Sequence, residues 1–288
     1  MSGRIVLGPN QYGKAECRLV KVTRVSTGST DEQRHVIEDL NVTTQLRGDF
    51  EACHTAGDNS QVVATDTQKN TVYAFAKEYG VHSPERFLVT LGDHFVGSFP
   101  WVTGGEFSAE QYAWERINDH DHSFVRSGRE TRTCTVTLDG DETSVVSGLR
   151  DCTILKSTGS EFHGFPRDRY TTLAETTDRI LATSLTATWR YTGTDHDFDA
   201  LYAGIRGVLL QTFADLHSLA LQQTIFEMGK AVLERYDEVA EVSLSCPNKH
   251  HFLVDLEPFG LDNPGEVFVA ADRPYGLIQA TVLREDSP

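Results

Sequence analysis

Asn248, Lys249 and His250 set an amide, an ammonium and an imidazole in consecutive positions, within Leu244-Ser245-Cys246-Pro247-Asn248-Lys249-His250-His251-Phe252. Between two strand-like runs such a cluster is ordinarily a solvated turn. Three distant pieces give it weight. Tyr12-Gly13-Lys14 opens a strand; an edge lysine only guards against aggregation, but a partly buried one has its pKa lowered and can pass a proton. Thr65-Asp66 follows the apolar run Val62-Val63-Ala64. Asp66 or Thr67 would cap the next helix, while the Thr65 hydroxyl can both give and take a proton and suits a station between a lysine and a histidine. Phe162-His163-Gly164-Phe165 and Arg179 lie in a polar loop, where an exposed phenyl face can stack on a flat heterocycle. Arg179 could pair with Asp178 or Glu175, or its guanidinium could grip carbonyl oxygens of a planar anion. Gln222, near the start of a helix, can donate and accept along a base edge, and the backbone N–H of Leu221 is free in that first turn.

The elements that must position these residues alternate in period. Residues 15–24 and 36–46 read as strands joined by the polar loop Ser26 to Gln33; in the second, Val36, Glu38, Leu40, Val42, Thr44 and Leu46 share a face. Val72, Phe75, Ala76 and Tyr79 mark one helix face, closed by Gly80. Ser83-Pro84 caps a second helix with Phe87, Leu88, Leu91 and Phe95 buried, ended by Gly97 and Pro100. Strand-like runs at about 104–117 and 123–137 lead to a turn at Asp139-Gly140. The order then repeats. Strands at 142–157 and 181–192 flank the polar excursion 157–180, too long for an idle connection. Two helices follow, one on Leu201, Ile205, Val208, Leu209, Thr212 and Leu216, the other on Leu221, Ile225, Met228 and Val232 with Ser218 as N-cap. Strands at 239–247 and 250–256, with pieces at 266–270 and 277–283, complete the set. Two antiparallel units, 1–139 and 140–288, give a pseudo-duplicated α+β chain with helices on one sheet face, so oligomerisation must cover the rest.

Composition narrows the function. The 288 residues carry 26 Lys+Arg against 42 Asp+Glu, a net charge of -16, which argues against a nucleic-acid footprint and requires locally placed cations for any anionic substrate. No apolar run is long enough to cross a bilayer. Five cysteines without CxxC spacing, no secretory core at Met1-Ser2-Gly3-Arg4 and no Ser-Lys-Leu ending point to a reducing cytoplasm. Asp119-His120-Asp121-His122 offers ligand types but lacks zinc spacing, so no metal is expected. No GxGxxG, Walker or GxSxG pattern indicates a nucleotide cofactor or a serine nucleophile.

In combination, Tyr12-Gly13-Lys14, Val63-Ala64-Thr65-Asp66 with Lys69-Asn70-Thr71, His122-Ser123-Phe124, Leu155-Lys156-Ser157-Thr158 through Phe165, Arg167-Asp168 with Tyr170-Thr171-Thr172-Leu173, and Pro247-Asn248-Lys249-His250 resemble the urate oxidase (uricase) family, in family order from about residue 12 to about residue 283. The resemblance implies the tunnelling fold, with two strand-helix units per chain. It also implies a homotetramer whose sheets close into a barrel-like tunnel, with active sites at subunit interfaces. It implies oxidation of urate by dioxygen without a cofactor, giving 5-hydroxyisourate and hydrogen peroxide. Arg179 and Gln222 would clamp the purine with the Leu221 backbone assisting, and Phe162 would stack on it. Thr65 and Asp66 would reach in from a neighbouring subunit, Lys14, Thr65 and His250 would relay protons, and Thr65 and Asn248 would hold dioxygen or water. Family members often carry valine at Leu221 and an aromatic residue at His163. The rival readings are a pterin-type hydrolase or aldolase of the same fold, which anchors its ring on a glutamate, and a purine-binding module with no use for the relay.

Overall fold

A computed structural model describes residues 3–26, 33–128 and 130–285. The expected 26–33 loop lies largely outside the described residues, as does the end of the tail. The chain divides into two compact units, Met1–Ser147 with Gly193–Asp199, and Gly148–Thr192 with Ala200–Pro288.

In the first unit come β1 (Tyr12–Ser26), β2 (Gln33–Gly48), the short α1 (Glu51–Thr55), α2 (Thr65–Glu78), α3 (Pro84–Ser98), β3 (Val102–Tyr112), β4 (Trp114–Arg116), β5 (Phe124–Arg126) and β6 (Thr131–Asp139). The sheet order is β1-β2-β3-β6, antiparallel throughout. Alternation decides which face is dry. Leu40, Val42, Thr44 and Leu46 of β2 lie opposite Ala109 and Phe107 of β3 and the row Cys134, Val136 and Leu138 of β6, all buried. In β1 the buried pair is Cys17 and Leu19, whereas Val20 and Val22 face outward. Helix α3 starts as its sequence dictates: Ser83 accepts the Arg86 N–H at 3.2 Å, and Pro84 needs no donor at the first helical position. Phe87, Leu88, Leu91 and Phe95 are buried. In α2, Val72 and Ala76 are buried but Tyr79 is exposed, because the helix ends at Glu78 and Tyr79 is its cap. The expected strand 123–137 is two strands: β5 leaves the main sheet to pair with β4. Arg34 takes up both Asp119, in a close contact, and Asp121, at 3.2 Å, so the Asp-His-Asp-His run is an ion-paired surface loop.

The second unit holds β7 (Glu142–Lys156), β8 (Leu181–Tyr191), α4 (Phe198–Asp215), α5 (Leu221–Arg235), β9 (Val239–Leu253) and β10 (Phe268–Leu283), in sheet order β7-β8-β9-β10. The first residues of β7 and α4 count with the first unit. Leu185, Ala187 and Trp189 of β8 and Val242, Leu244 and Cys246 of β9 form the dry face, met by Ile225, Met228 and Val232 of α5. The two strands expected at 239–247 and 250–256 are one, β9, which runs through Pro247 to Leu253. The β8–β9 ladder is made at Thr186↔Ser245 and Thr183↔Asn248, and the missing N–H of Pro247 falls in the interval between them.

Candidate active site

In the first unit, β1 and the start of α2 carry the expected proton-handling groups. Gly13 lies so close to β2 that a Cβ there would stand 1.7 Å from the Thr44 carbonyl oxygen, which excludes any other residue. A bulge follows between Lys14 and Cys17, with Glu16 at φ 55 and its N–H on Thr43 Oγ1 at 3.0 Å. Lys14 pairs with Thr44 and so shares the helix-covered face. Thr44 is buried and donates to Gln68 Oε1 of α2 at 2.8 Å, while Gln68 Nε2 and the Tyr12 hydroxyl both donate to the Val63 carbonyl, at 3.3 and 3.2 Å. These bonds fix the chain that enters α2. The helix begins at Thr65, with Ala64 as its cap and no side-chain capping bond; neither Asp66 nor Thr67 caps it. Asp66 instead binds Lys69 closely and Asn70 at 2.9 Å, and these contacts, with Lys14 contributing, hold its carboxyl below the usual range. Lys14 thus lies within electrostatic reach of Asp66, the residue after Thr65.

In the second unit, the excursion 157–180 is knitted rather than loose. Phe162 and Thr176 exchange backbone bonds at 2.9 and 3.1 Å. The Asp178 carboxylate accepts from Thr158 Oγ1 and the Gly159 N–H, and Glu175 accepts from the Gly164 N–H. Both acids expected as partners of Arg179 are thus engaged elsewhere, and no described carboxylate lies within ion-pair distance of its guanidinium. Burial lowers the Arg179 pKa. Its guanidinium carbon stands 5.3 Å from the centre of the Phe162 ring, and Phe162 stacks on Phe165 at 5.0 Å. Leu221 and Gln222 are the first two residues of α5, the former buried and the latter exposed. Ala220, not Ser218, caps that helix.

Asn248 and His250 continue the dry face of β9 beyond Cys246; Asn248 is 9% exposed. Opposite them β10 leaves its register between Ala271 and Gly276. Burial first, then the charges of Arg179 and His251, lower the His250 pKa, which also places Arg179 within electrostatic reach of the imidazole. Burial pushes the Cys246 thiol up to about 11, so it is packing rather than a nucleophile. Among the described residues, the side chains of Lys14, Thr65, Gln222, Asn248 and His250 accept or donate no hydrogen bond. Lys14, Thr65 and Asp66 belong to one unit, and Phe162, Arg179, Leu221, Gln222, Asn248 and His250 to the other. Sequence reasoning missed Gln68 and Ser160 and read Ser218 only as a helix cap; all three are fully buried, a signal visible only in the fold.

A family profile described as Uricase matches residues 10–137 and 145–279. The chain is 64% identical over 284 residues to a uricase of Arthrobacter globiformis, spanning 99% of this chain and 92% of that one. It is 38% identical over 294 residues to the uricase of Aspergillus flavus, covering 95% of each.

The chain belongs to the uricase family.

The solved structure of the Arthrobacter globiformis uricase superposes with a TM-score of 0.94 at 63% identity, covering 99% of this chain and 97% of that one. A uricase from Bacillus fastidious gives 0.81 at 28% identity, covering 96% and 94%. The expected α+β tunnelling fold, built from two tandem units, is therefore the fold of this enzyme.

Proposed function

We propose that this enzyme oxidises urate with dioxygen and water to 5-hydroxyisourate and hydrogen peroxide, using its own side chains and no bound cofactor. The observation that carries the reading is Arg179: a half-buried guanidinium over a phenyl face, with no carboxylate partner among the described residues and a neutral-leaning imidazole in its field. A cation held in that state favours a flat anion. It fixes the ring and takes up its negative charge.

Arg179 and Gln222 clamp the purine edge, the Leu221 N–H assists, and Phe162 covers one ring face. Urate deprotonated beyond its monoanion is electron-rich enough to reduce dioxygen. The protein moves the protons. His250, kept neutral by its surroundings, exchanges protons with Lys14 through the Thr65 hydroxyl between them. Dioxygen, and later water, occupies a station between Thr65 and Asn248. Loss of peroxide from a hydroperoxide intermediate and uptake of water complete the balance. Thr65 and Asp66 come from a neighbouring subunit of a homotetramer with a barrel-like tunnel. The exposed apolar residues on the long strands β1 and β10, among them Val20, Val22, Val269 and Leu277, fit such an assembly. The five free cysteines suit a cytoplasmic setting.

The test is a combined oxygen-electrode and peroxide assay on protein treated with chelator. Urate should be consumed with equal uptake of oxygen and release of peroxide. Activity that vanishes with the chelator and returns with added metal would refute the cofactor-free reading.

A further inference from the structure

We propose that Ser160 is a positioning residue that fixes both jaws of the purine clamp in one frame. The inference rests on the assignment of Arg179 and Gln222 as that clamp. Ser160 is fully buried although it lies in a polar surface excursion. Its carbonyl accepts the Arg179 backbone N–H at 2.8 Å, and its hydroxyl lies 3.4 Å from Arg179 Nε and accepts that proton. A bond of this length is weak, and its effect is directional: with Nε occupied, the two Nη groups are left to face a ligand.

The same segment is stitched to the start of α5. Ser160 forms a parallel bridge with Ser218, the Ser218 N–H donates to the Gly159 carbonyl at 2.9 Å, and the Glu161 N–H donates to the Ser218 carbonyl at 2.8 Å. Ser218 is also fully buried, and its hydroxyl accepts from Thr224 Oγ1 at 2.8 Å in the first turn of α5, beside Leu221 and Gln222. Two fully buried serines thus tie the guanidinium jaw to the amide jaw.

A double-mutant cycle tests this, with steady-state urate kinetics and titration of the planar analogue 8-azaxanthine on wild type, Ser160→Ala, Arg179→Ala and the double variant. Ser160→Ala should raise KM and the analogue Kd about five- to tenfold, with kcat changed less than about twofold and the melting midpoint near that of wild type. In the Arg179→Ala background the serine substitution should add nothing. Unchanged affinity in Ser160→Ala, or an equal loss in both backgrounds, overturns the positioning role. If Arg179→Ala itself binds the analogue normally, the clamp assignment fails instead. Ser160→Cys keeps the volume but replaces a good acceptor with a poor one. It answers the question should the alanine variant misfold: weaker binding supports the proposal and wild-type binding overturns it.

Discussion

The starts of α3 and α5 occupy the same place in the two repeated units, and each presents a polar side chain at its second residue. In α3 this is Glu85, fully buried, held by Arg132 Nη2 at 2.7 Å and by a close bond from Ser147, while Arg132 Nη1 also reaches Asp199 at 2.6 Å. In α5 it is Gln222, exposed, with Arg179 in the same unit and, among the described residues, no carboxylate within ion-pair distance of that guanidinium. One position is sealed by an internal ion pair. The other is left with donors and acceptors unspent. The fold offers a polar group at this point of each unit, and the presence of an internal counter-charge decides whether that point is structure or site. The loop that carries the free cation is in turn braced by buried hydroxyls.

The comparison can be broken from either side. Glu85→Ala strands a buried arginine, so urea unfolding should show a loss of about 3–5 kcal/mol; a change within error would mean that the first position is not sealed as described. Gln222→Glu gives the second unit the acid that the first one has. The new carboxylate should engage Arg179 and lower 8-azaxanthine affinity by about ten- to a hundredfold in a calorimetric titration, without loss of stability; retained affinity would separate Gln222 from the clamp. The smallest effect concerns pH. In the proposed mechanism His250 is a neutral base, and its pKa is held down, so activity should survive to lower pH than with an ordinary histidine and fall as pH drops through that value. His251→Gln removes one of the depressing charges, so the acid limb of kcat/KM should move to higher pH, and a limb that stays put would argue against His250 as the base.

Much of the scaffold was legible because period is a local property. The face of β2, the cap and stripe of α3 and the turn at Gly140 follow from spacing alone. Errors fell where a long-range partner decides. Pro247 read as a strand end, yet β9 continues through it because its neighbours tolerate a missing donor there. Ser218 read as a helix cap, but the hydroxyl is spent on Thr224, and the Gln223 side chain reaches back to the Leu219 N–H instead. The candidate site residues came from a combination of motifs. Their supports did not, since a serine in a polar loop and an acid in the first turn of a helix look ordinary until burial is known.

The most direct test of the account is a crystal structure with 8-azaxanthine bound. It should show the ligand edge on the Arg179 guanidinium and the Gln222 amide, its face on Phe162, and Thr65 of a neighbouring subunit beside it. A ligand seated away from Arg179, or a tetramer in which Lys14 and Thr65 of one chain stay remote from His250 of the next, would contradict it.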